Sequence, residues 1–273
     1  MNSPDARDPA PAARPETVAL FISDLHLQES SPATTALFLS FLEQHAVHAH
    51  QLYLLGDLFE YWAGDDDMAT PYLRRIVDAL HAASSAGVQI FWMAGNRDFL
   101  VGDDFARAAG MTRLPDPYAV QLAGIHLALA HGDAQCTDDR DYQAFRAQVR
   151  SPQWQQAFLA QPLASRKAII DDMRIGSRDA QHGKAMDIMD VNLAAISAVF
   201  DETGAALLIH GHTHRPAVHR HGSRLRYVLP DWDGDASPPR GGWLSIDASG
   251  AIHRHDAFGA LLPEPAEAPG KSP

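Results

Sequence analysis

Residues 207–216 read LLIHGHTHRP, which places His210, His212 and His214 directly behind a run of aliphatic side chains. The run has the length of a strand, Gly211 permits close backbone approach, and Pro216 ends the segment. The stretch therefore reads as the tip of a buried strand. With a side-chain period of two, His212 and His214 point to one side and His210 to the other, so two imidazoles converge. Most of the 15 histidines, such as His45, His48, His219 and His253, read as ordinary surface residues. A converging pair is different, because neutral imidazole is the commonest side-chain metal ligand.

Four earlier apolar runs close in the same way: VALFISD (18–24), QLYLLGD (51–57), VQIFWMAGN (88–96) and IHLALAHGD (125–133). Helical signals lie between them. Ser31-Pro32 reads as an N-cap and first turn before the apolar face Leu37, Phe38, Phe41 and Leu42, and Thr70-Pro71 opens a second helix that stops near Gly87. Alternating strands and helices predict an α/β fold with a mostly parallel sheet. LRYVLPDW (225–232), GWLSIDA (242–248) and AIHRHDAF (251–258) read as strands without helices, as in a second, antiparallel-leaning sheet. Together these predict a β-sandwich of mixed sheets flanked by helices.

In an open α/β sheet the carboxyl ends of the strands form the ligand crevice, so residues there can meet although far apart in sequence. Those ends carry Asp24 and His26 (SDLH), Asp57 (GDLF), Asn96 (GNRD), His131 (HGD), and His212 and His214 (GHTH). Singly, Asp24 could be a helix cap and Asn96 a turn residue. Jointly, carboxylate, imidazole and amide oxygen suit divalent manganese, iron or zinc. Seven donors exceed the needs of one metal and suggest two sharing a bridging carboxylate, the usual device for displacement at phosphorus. Hydrolysis of a phosphate ester or anhydride is the implied reaction.

A net charge of −12 argues against a nucleic-acid partner, whose footprint would be basic. Cys136 is the single cysteine, so neither a disulfide framework nor a thiolate cluster is expected, which suits the cytoplasm. Residues 1–16 and 263–273 are rich in Pro and Ala and read as disordered tails around a domain spanning 17–262. No apolar run approaches the roughly 20 residues that span a bilayer, so membrane association would be peripheral. From about 137 to 200 the chain reads as helices inserted between site-bearing loops. Trp154, Phe158, Leu159, Leu163, Ile169, Ile170 and Met173 supply apolar surface there, and Arg166, Lys167, Arg174, Arg178 and Lys184 supply positive charge. That pattern fits a cap lining acyl chains and meeting phosphates, or a helical hairpin packed on the core.

The order DLH, GD, GN, HGD, GHTH resembles the calcineurin-like metallophosphoesterase superfamily over most of the chain between the tails. The resemblance implies that Asp24, His26, Asp57 and His214 hold a first metal and Asp57, Asn96, His131 and His212 a second, with Asp57 bridging. One departure is informative: most members have Asn-His where this chain has Asn96-Arg97. The histidine aids the leaving group. Arginine cannot act as a general acid, but its planar fork can hold a phosphate oxygen and stabilise developing charge. Arg97 thus suits a leaving group that needs no proton, such as a nucleoside or sugar phosphate departing from a pyrophosphate.

Longer strings, among them LGDLFEYWAGDDD (55–67), HGDAQCTDDRDYQAFR (131–146) and IHGHTHRPAVH (209–219), resemble the branch that hydrolyses UDP-2,3-diacylglucosamine in lipid A biosynthesis. That branch implies release of UMP and the acylated sugar 1-phosphate (lipid X) by water attack at the α-phosphorus, with two manganese ions. It also implies work at the cytoplasmic face of the inner membrane, with no protein partner. Arg97 and Asp57 would be catalytic, and Asn96, Arg97, Asp139, Ser177, Gln181, Lys184 and His212 would bind substrate. Gln181 departs from the asparagine of the related enzymes. The alternative is a calcineurin-like hydrolase of a soluble nucleotide or phosphoprotein. Tyr142, Arg174 and Trp62 are neighbours without assigned roles.

Overall fold

The computed structural model describes residues 16–181 and 190–263, with the backbone alone over 175–181. Strands β1 (Thr17–Ile22), β2 (Gln51–Leu55), β3 (Gln89–Met93) and β4 (Met111–Arg113) run parallel and adjacent. Strands β5 (Tyr118–Leu122), β6 (Ile125–Ala130), β7 (Leu207–His210), β8 (Ala217–His221) and β9 (Arg224–Val228) make a second sheet in the order β5-β6-β7-β9-β8. Its centre, β6-β7-β9, is again parallel. The chain then returns to the first sheet with β10 (Gly242–Asp247), β11 (Ile252–Asp256) and β12 (Leu261–Leu262), all antiparallel, giving the order β12-β11-β10-β1-β2-β3-β4.

The sandwich is present, but the strands divide between its sheets differently from the expectation. LRYVLPDW supplies β9 of the second sheet, whereas GWLSIDA and AIHRHDAF extend the first. Every residue of β10 is buried, and such a strand needs neighbours on both edges and both faces. It finds them between β1 and β11.

Side-chain alternation builds the layers. Ala19, Phe21, Tyr53, Leu55, Met93 and Leu244 point toward Leu127, Leu129, Leu207, Ile209 and Leu229 of the facing sheet. Their alternates Leu20, Ile22, Leu52, Leu54, Ile90 and Trp92 point outward to α1 (Pro32–Gln44), α2 (Pro71–Ser85) and α3 (Asp103–Ala109), meeting Phe38, Phe41, Ile76, Leu80 and Phe105. Helices α4 (Arg140–Val149), α5 (Pro152–Leu159) and α6 (Leu163–Gln181) follow β6. Then α7 (Leu193–Thr203) covers the outer face of the second sheet, placing Ile196, Val199 and Phe200 on Ala128, Ala130 and Leu208. So α7 belongs to the sandwich as the crossover between β6 and β7.

Ser31 occupies the N-cap position of α1 but makes no side-chain bond there. The cap comes from Asp235, whose carboxylate accepts the amides of Ala33 (3.2 Å) and Thr34 (3.0 Å). Charge also fastens α6 to the loop after β2. Arg166, 3% exposed, donates to Asp66 and to the carbonyls of Ala63 and Gln161, and Lys167 pairs with Asp67 at 2.7 Å.

Phe21 is fully buried between the sheets and stacks on Tyr53 at 5.1 Å, which in turn stacks on Phe91 at 4.9 Å. Phe21→Ala is expected to lower the unfolding free energy by about 3–5 kcal/mol, read from urea denaturation. A loss below about 1 kcal/mol would mean that this layer tolerates a cavity.

Candidate metal centre

Parallel neighbours end side by side, so the loops after β1, β2 and β3 leave the first sheet together, and those after β6 and β7 face them across the seam. Backbone bonds lock the first two loops: Asp24 N donates to Gly56 O (3.1 Å) and His26 N to Asp57 O (3.0 Å). Six non-glycine residues among those described have positive φ, and five of them are Asp24 (54°), His26 (48°), Asp57 (53°), His212 (66°) and His214 (54°). Left-handed backbone costs an L-residue roughly 1–2 kcal/mol. Such strain persists where the surroundings over-determine it, and it clusters at functional sites.

This corrects the reading of GHTH as a strand tip. The strand β7 ends at His210, and His212 and His214 face the crevice through left-handed turns rather than strand alternation. His210 is buried between Gly211 O and the guanidinium of Arg226, and burial together with that cation pulls its imidazole down to about 3.

Among the described residues, two groups of donors could hold an ion: Asp24, His26 and His214, and Asp24, Asp57 and His131. His214 Nε2 lies 3.4 Å from Asp24 Oδ1 and 3.2 Å from His26 Nε2. Asp57 is shared in space, its Oδ2 3.8 Å from His26 Nε2 and its Oδ1 3.7 Å from His131 Nε2. Asn96 Oδ1 accepts from His131 Nε2 (3.0 Å) and lies 2.8 Å from His212 Nδ1. Asp24 Oδ1 is buried and has no hydrogen bond, whereas Oδ2 accepts Ser23 Oγ (2.6 Å) and His212 N (2.9 Å). A buried carboxylate oxygen without a donor is costly. A cation among these oxygen and nitrogen donors would satisfy it, so the residues fit divalent metal. The structure thus brings together Asp24, His26, Asp57, Asn96, His131, His212 and His214.

Outer partners orient the inner donors, several of them unassigned from sequence. Glu60 Oε2 accepts His26 Nδ1 at 2.9 Å and Leu55 O accepts His131 Nδ1 at 2.8 Å, which turns each Nε2 toward the cluster. Asp231 lies 3.7 Å from His214 Nδ1. Asp98, fully buried, accepts the amides of Leu58 and Gly95, both at 2.8 Å, and so ties the loop of Asp57 to that of Asn96. Asp98 was visible in GNRD and Glu60 in LGDLFEYWAGDDD without an assigned role, but Asp231 follows no motif.

Burial pushes the Asp24 carboxyl up, yet the imidazoles of His214, His131 and His26 outweigh it and hold it well below the usual carboxylate range. Burial likewise opposes charge on His131, but Asp57, Asp133 and Asp24 raise it to about 9. Burial and the neighbouring His131 push His212 down to about 4. The crevice therefore attracts positive charge, which His131 carries as a proton in the absence of a metal.

The donors open into a cavity of about 660 Å³ roofed by α4, α5 and α6. Asn96, Arg97, Asp139 and His212 line it, and so do Phe99, Trp154, Phe158, Ile170 and Met173. Arg97 N donates to Asp57 Oδ1 at 2.8 Å. Ser177 and Gln181 fall where only the backbone of α6 is described, and Lys184 lies outside the described residues. Of the basic residues expected to meet phosphate, Arg166 and Lys167 are engaged by Asp66 and Asp67, Arg174 lines the cavity while bound to Glu60 at 2.9 Å, and the side chains of Arg178 and Lys184 lie outside the described residues. Leu163 and Ile169 pack against the core rather than line the cavity.

A fold of two packed mixed sheets with clustered carboxylates and imidazoles at their strand ends defines a metal-dependent phosphoesterase, and the model for the calcineurin-like phosphoesterases matches residues 18–216. The chain belongs to that family. Its curated relatives include proteins named UDP-2,3-diacylglucosamine hydrolase. The one from Aromatoleum aromaticum is 52% identical over 222 residues, covering 80% of this chain and 90% of its own. That from Sodalis glossinidius is 45% identical over 241 residues, covering 88% and 98%. A third, from Xanthomonas axonopodis pv. citri, is 47% identical over 244 residues, covering 85% and 96%.

Two outcomes test the centre. A Cβ on Gly95 would lie 2.0 Å from Asp57 Oδ1, so Gly95→Ala is expected to weaken manganese binding at least about tenfold by calorimetry; unchanged affinity would mean Asp57 is no ligand. His131 must shed its proton to bind metal, and its raised pKa of about 9 keeps that proton on at pH 7. Manganese affinity should therefore rise from pH 7 to pH 9 with protons released to the buffer, and a flat profile would exclude His131.

Proposed function

We propose that the chain hydrolyses the pyrophosphate bond of UDP-2,3-diacylglucosamine, a step of lipid A biosynthesis, yielding UMP and 2,3-diacylglucosamine 1-phosphate. One observation carries the reading: the cavity lined by the metal-capable His26, Asp57, Asn96, His212 and His214 is walled also by Phe99, Trp154, Phe158, Ile170 and Met173. A soluble nucleotide has no use for that wall, whereas two acyl chains do. The names of the relatives support the same substrate.

Asp24, His26, Asp57 and His214 hold one divalent cation and Asp57, Asn96, His131 and His212 a second. We assign manganese, with iron or zinc compatible with the donors. Such a pair supplies Lewis acidity at phosphorus and lowers the pKa of water. The chain's own groups do the rest. Asp57 faces both sets of imidazoles, with Oδ2 3.8 Å from His26 Nε2 and Oδ1 3.7 Å from His131 Nε2, and would serve both cations. Arg97 grips a phosphate oxygen and compensates the charge that grows on the departing sugar phosphate, which leaves as an anion without a proton. Oxygen from water joins the α-phosphorus, the bond from that phosphorus to the bridging oxygen breaks, and the water protons pass to solvent. Asn96, Asp139 and His212 bind the phosphate end, and Ser177, Gln181 and Lys184 join them in this reading. No described helix is long and apolar enough to cross a membrane. We assign the chain to the cytoplasmic face of the inner membrane, meeting its substrate peripherally.

Purified protein should release UMP from UDP-2,3-diacylglucosamine with manganese, lose the activity to a chelator, and leave unacylated UDP-glucosamine nearly untouched. Equal turnover of both substrates would overturn the lipid assignment. Arg97→Ala should lower turnover about 100-fold with the metal retained, whereas His131→Ala should lose metal and activity together; loss of metal in the Arg97 variant would make Arg97 structural.

A further inference from the structure

Asp133 follows His131 by two residues and belongs to neither donor group, yet it is fully buried. Its Oδ2 accepts Tyr142 Oη at 2.7 Å and Arg146 Nε at 2.8 Å, and lies 3.6 Å from Arg150 Nη2. Tyr142, Arg146 and Arg150 are spaced four apart and form one face of the segment that begins as α4. Two of them also touch the centre. The Tyr142 ring lies over the His212 imidazole, with centroids 6.3 Å apart and planes 25° from parallel, and lines the cavity. Arg150 Nη2 donates to Gly95 O at 2.8 Å, beside Asn96. Asp133, with Asp116 4.0 Å from Arg146 Nη2 as a second and more distant carboxylate, thus draws the cap against the three loops that carry His131, Asn96 and His212. If Asp133 merely neutralised two arginines, Tyr142 and Arg150 would not also need to reach those loops.

We propose that Asp133 is a positioning residue: through Tyr142 and Arg150 it fixes α4 as the cavity wall beside His131 and His212, and so sets where the substrate's phosphate rests relative to the donors. Its own carboxylate is not among the donors. The inference deepens the functional reading above and rests on it for the substrate. A misplacement of about 1 Å can cost on the order of 100-fold in rate.

The test uses the full chain as Asp133→Asn, Tyr142→Phe, the double variant and Asp133→Glu, with two substrates: UDP-2,3-diacylglucosamine, and bis(p-nitrophenyl) phosphate, a small diester that needs no cap. In Asp133→Asn the loss of kcat on the acylated substrate should exceed the loss on the small diester at least about tenfold. Adding Tyr142→Phe should cost little more, and Asp133→Glu should recover part of the loss. Equal losses on both substrates, or additive losses in the double variant, would overturn the proposal. Hydrogen exchange separates it from the functional reading. Residues 140–150 should exchange at least about tenfold faster in Asp133→Asn while β7 is unchanged, whatever the wild-type substrate proves to be. Unchanged protection of α4 would overturn it even if the acylated substrate is turned over, and should Asp133→Asn fail to fold, Tyr142→Phe carries the same readouts.

Discussion

Two carboxylates, those of Asp24 and Asp57, are taken out of water at the ends of neighbouring parallel strands, and much of the molecule exists to make that burial tolerable. An unpaired buried carboxylate costs several kcal/mol even after the protein relaxes around it. Here the compensation comes from two directions. Backbone amides of Arg97 and His212 donate to the carboxylates, which is possible because the chain accepts left-handed turns at Asp24, Asp57 and His212. Imidazoles from both sheets supply positive field. Glycine at 95 and 211 follows from the same crowding, since a Cβ at either position would strike a carboxylate oxygen. The remaining oxygen, Asp24 Oδ1, has no hydrogen-bond donor, and a divalent cation is the partner that its neighbouring imidazoles and carboxylate suit.

The charge on the cap serves a different purpose from the charge in the crevice. Arg166, Lys167 and Arg174 bind Asp66, Asp67 and Glu60, so α6 is held to the loop after β2, and Glu60 in turn orients His26. Burial pushes Glu60 up, but His26, Arg97 and Arg174 bring it down to about 2, so it remains an acceptor at any pH at which the fold is used. On the other flank Asp133 holds α4. The apolar wall therefore hangs between two electrostatic anchors, each of which also contacts a residue of the centre. Roof and floor are one mechanical unit.

Much of this was readable in the chain because short apolar runs closing on Asp, Asn or His announce strand ends, and strand ends in such sheets converge. What could not be read was long-range. GHTH looked like continuing strand because alternation and a pair of left-handed residues both place His212 and His214 on one side, and only backbone angles distinguish them. The C-terminal strands looked like a separate sheet because nothing local says that the fully buried β10 is needed to close the open edge of β1. The basic residues of α6 looked available because their acidic partners, Asp66 and Asp67, lie 100 residues earlier. Ser31 likewise had the right type for a cap, yet Asp235 from a distant loop took the role.

The place of β1 also bears on how the protein comes off the ribosome. The first strand among the described residues is an interior strand, and its second neighbour, β10, begins 220 residues after β1 ends. At roughly 5–20 residues per second, translation leaves that edge unpaired for about 11–44 s. Throughout that interval a flat apolar strand offers its hydrogen bonds to any extended neighbour. His214, the last of the seven donors to be synthesised, also emerges late. Architecture alone thus leaves β1 with one edge unpaired until most of the chain has been made.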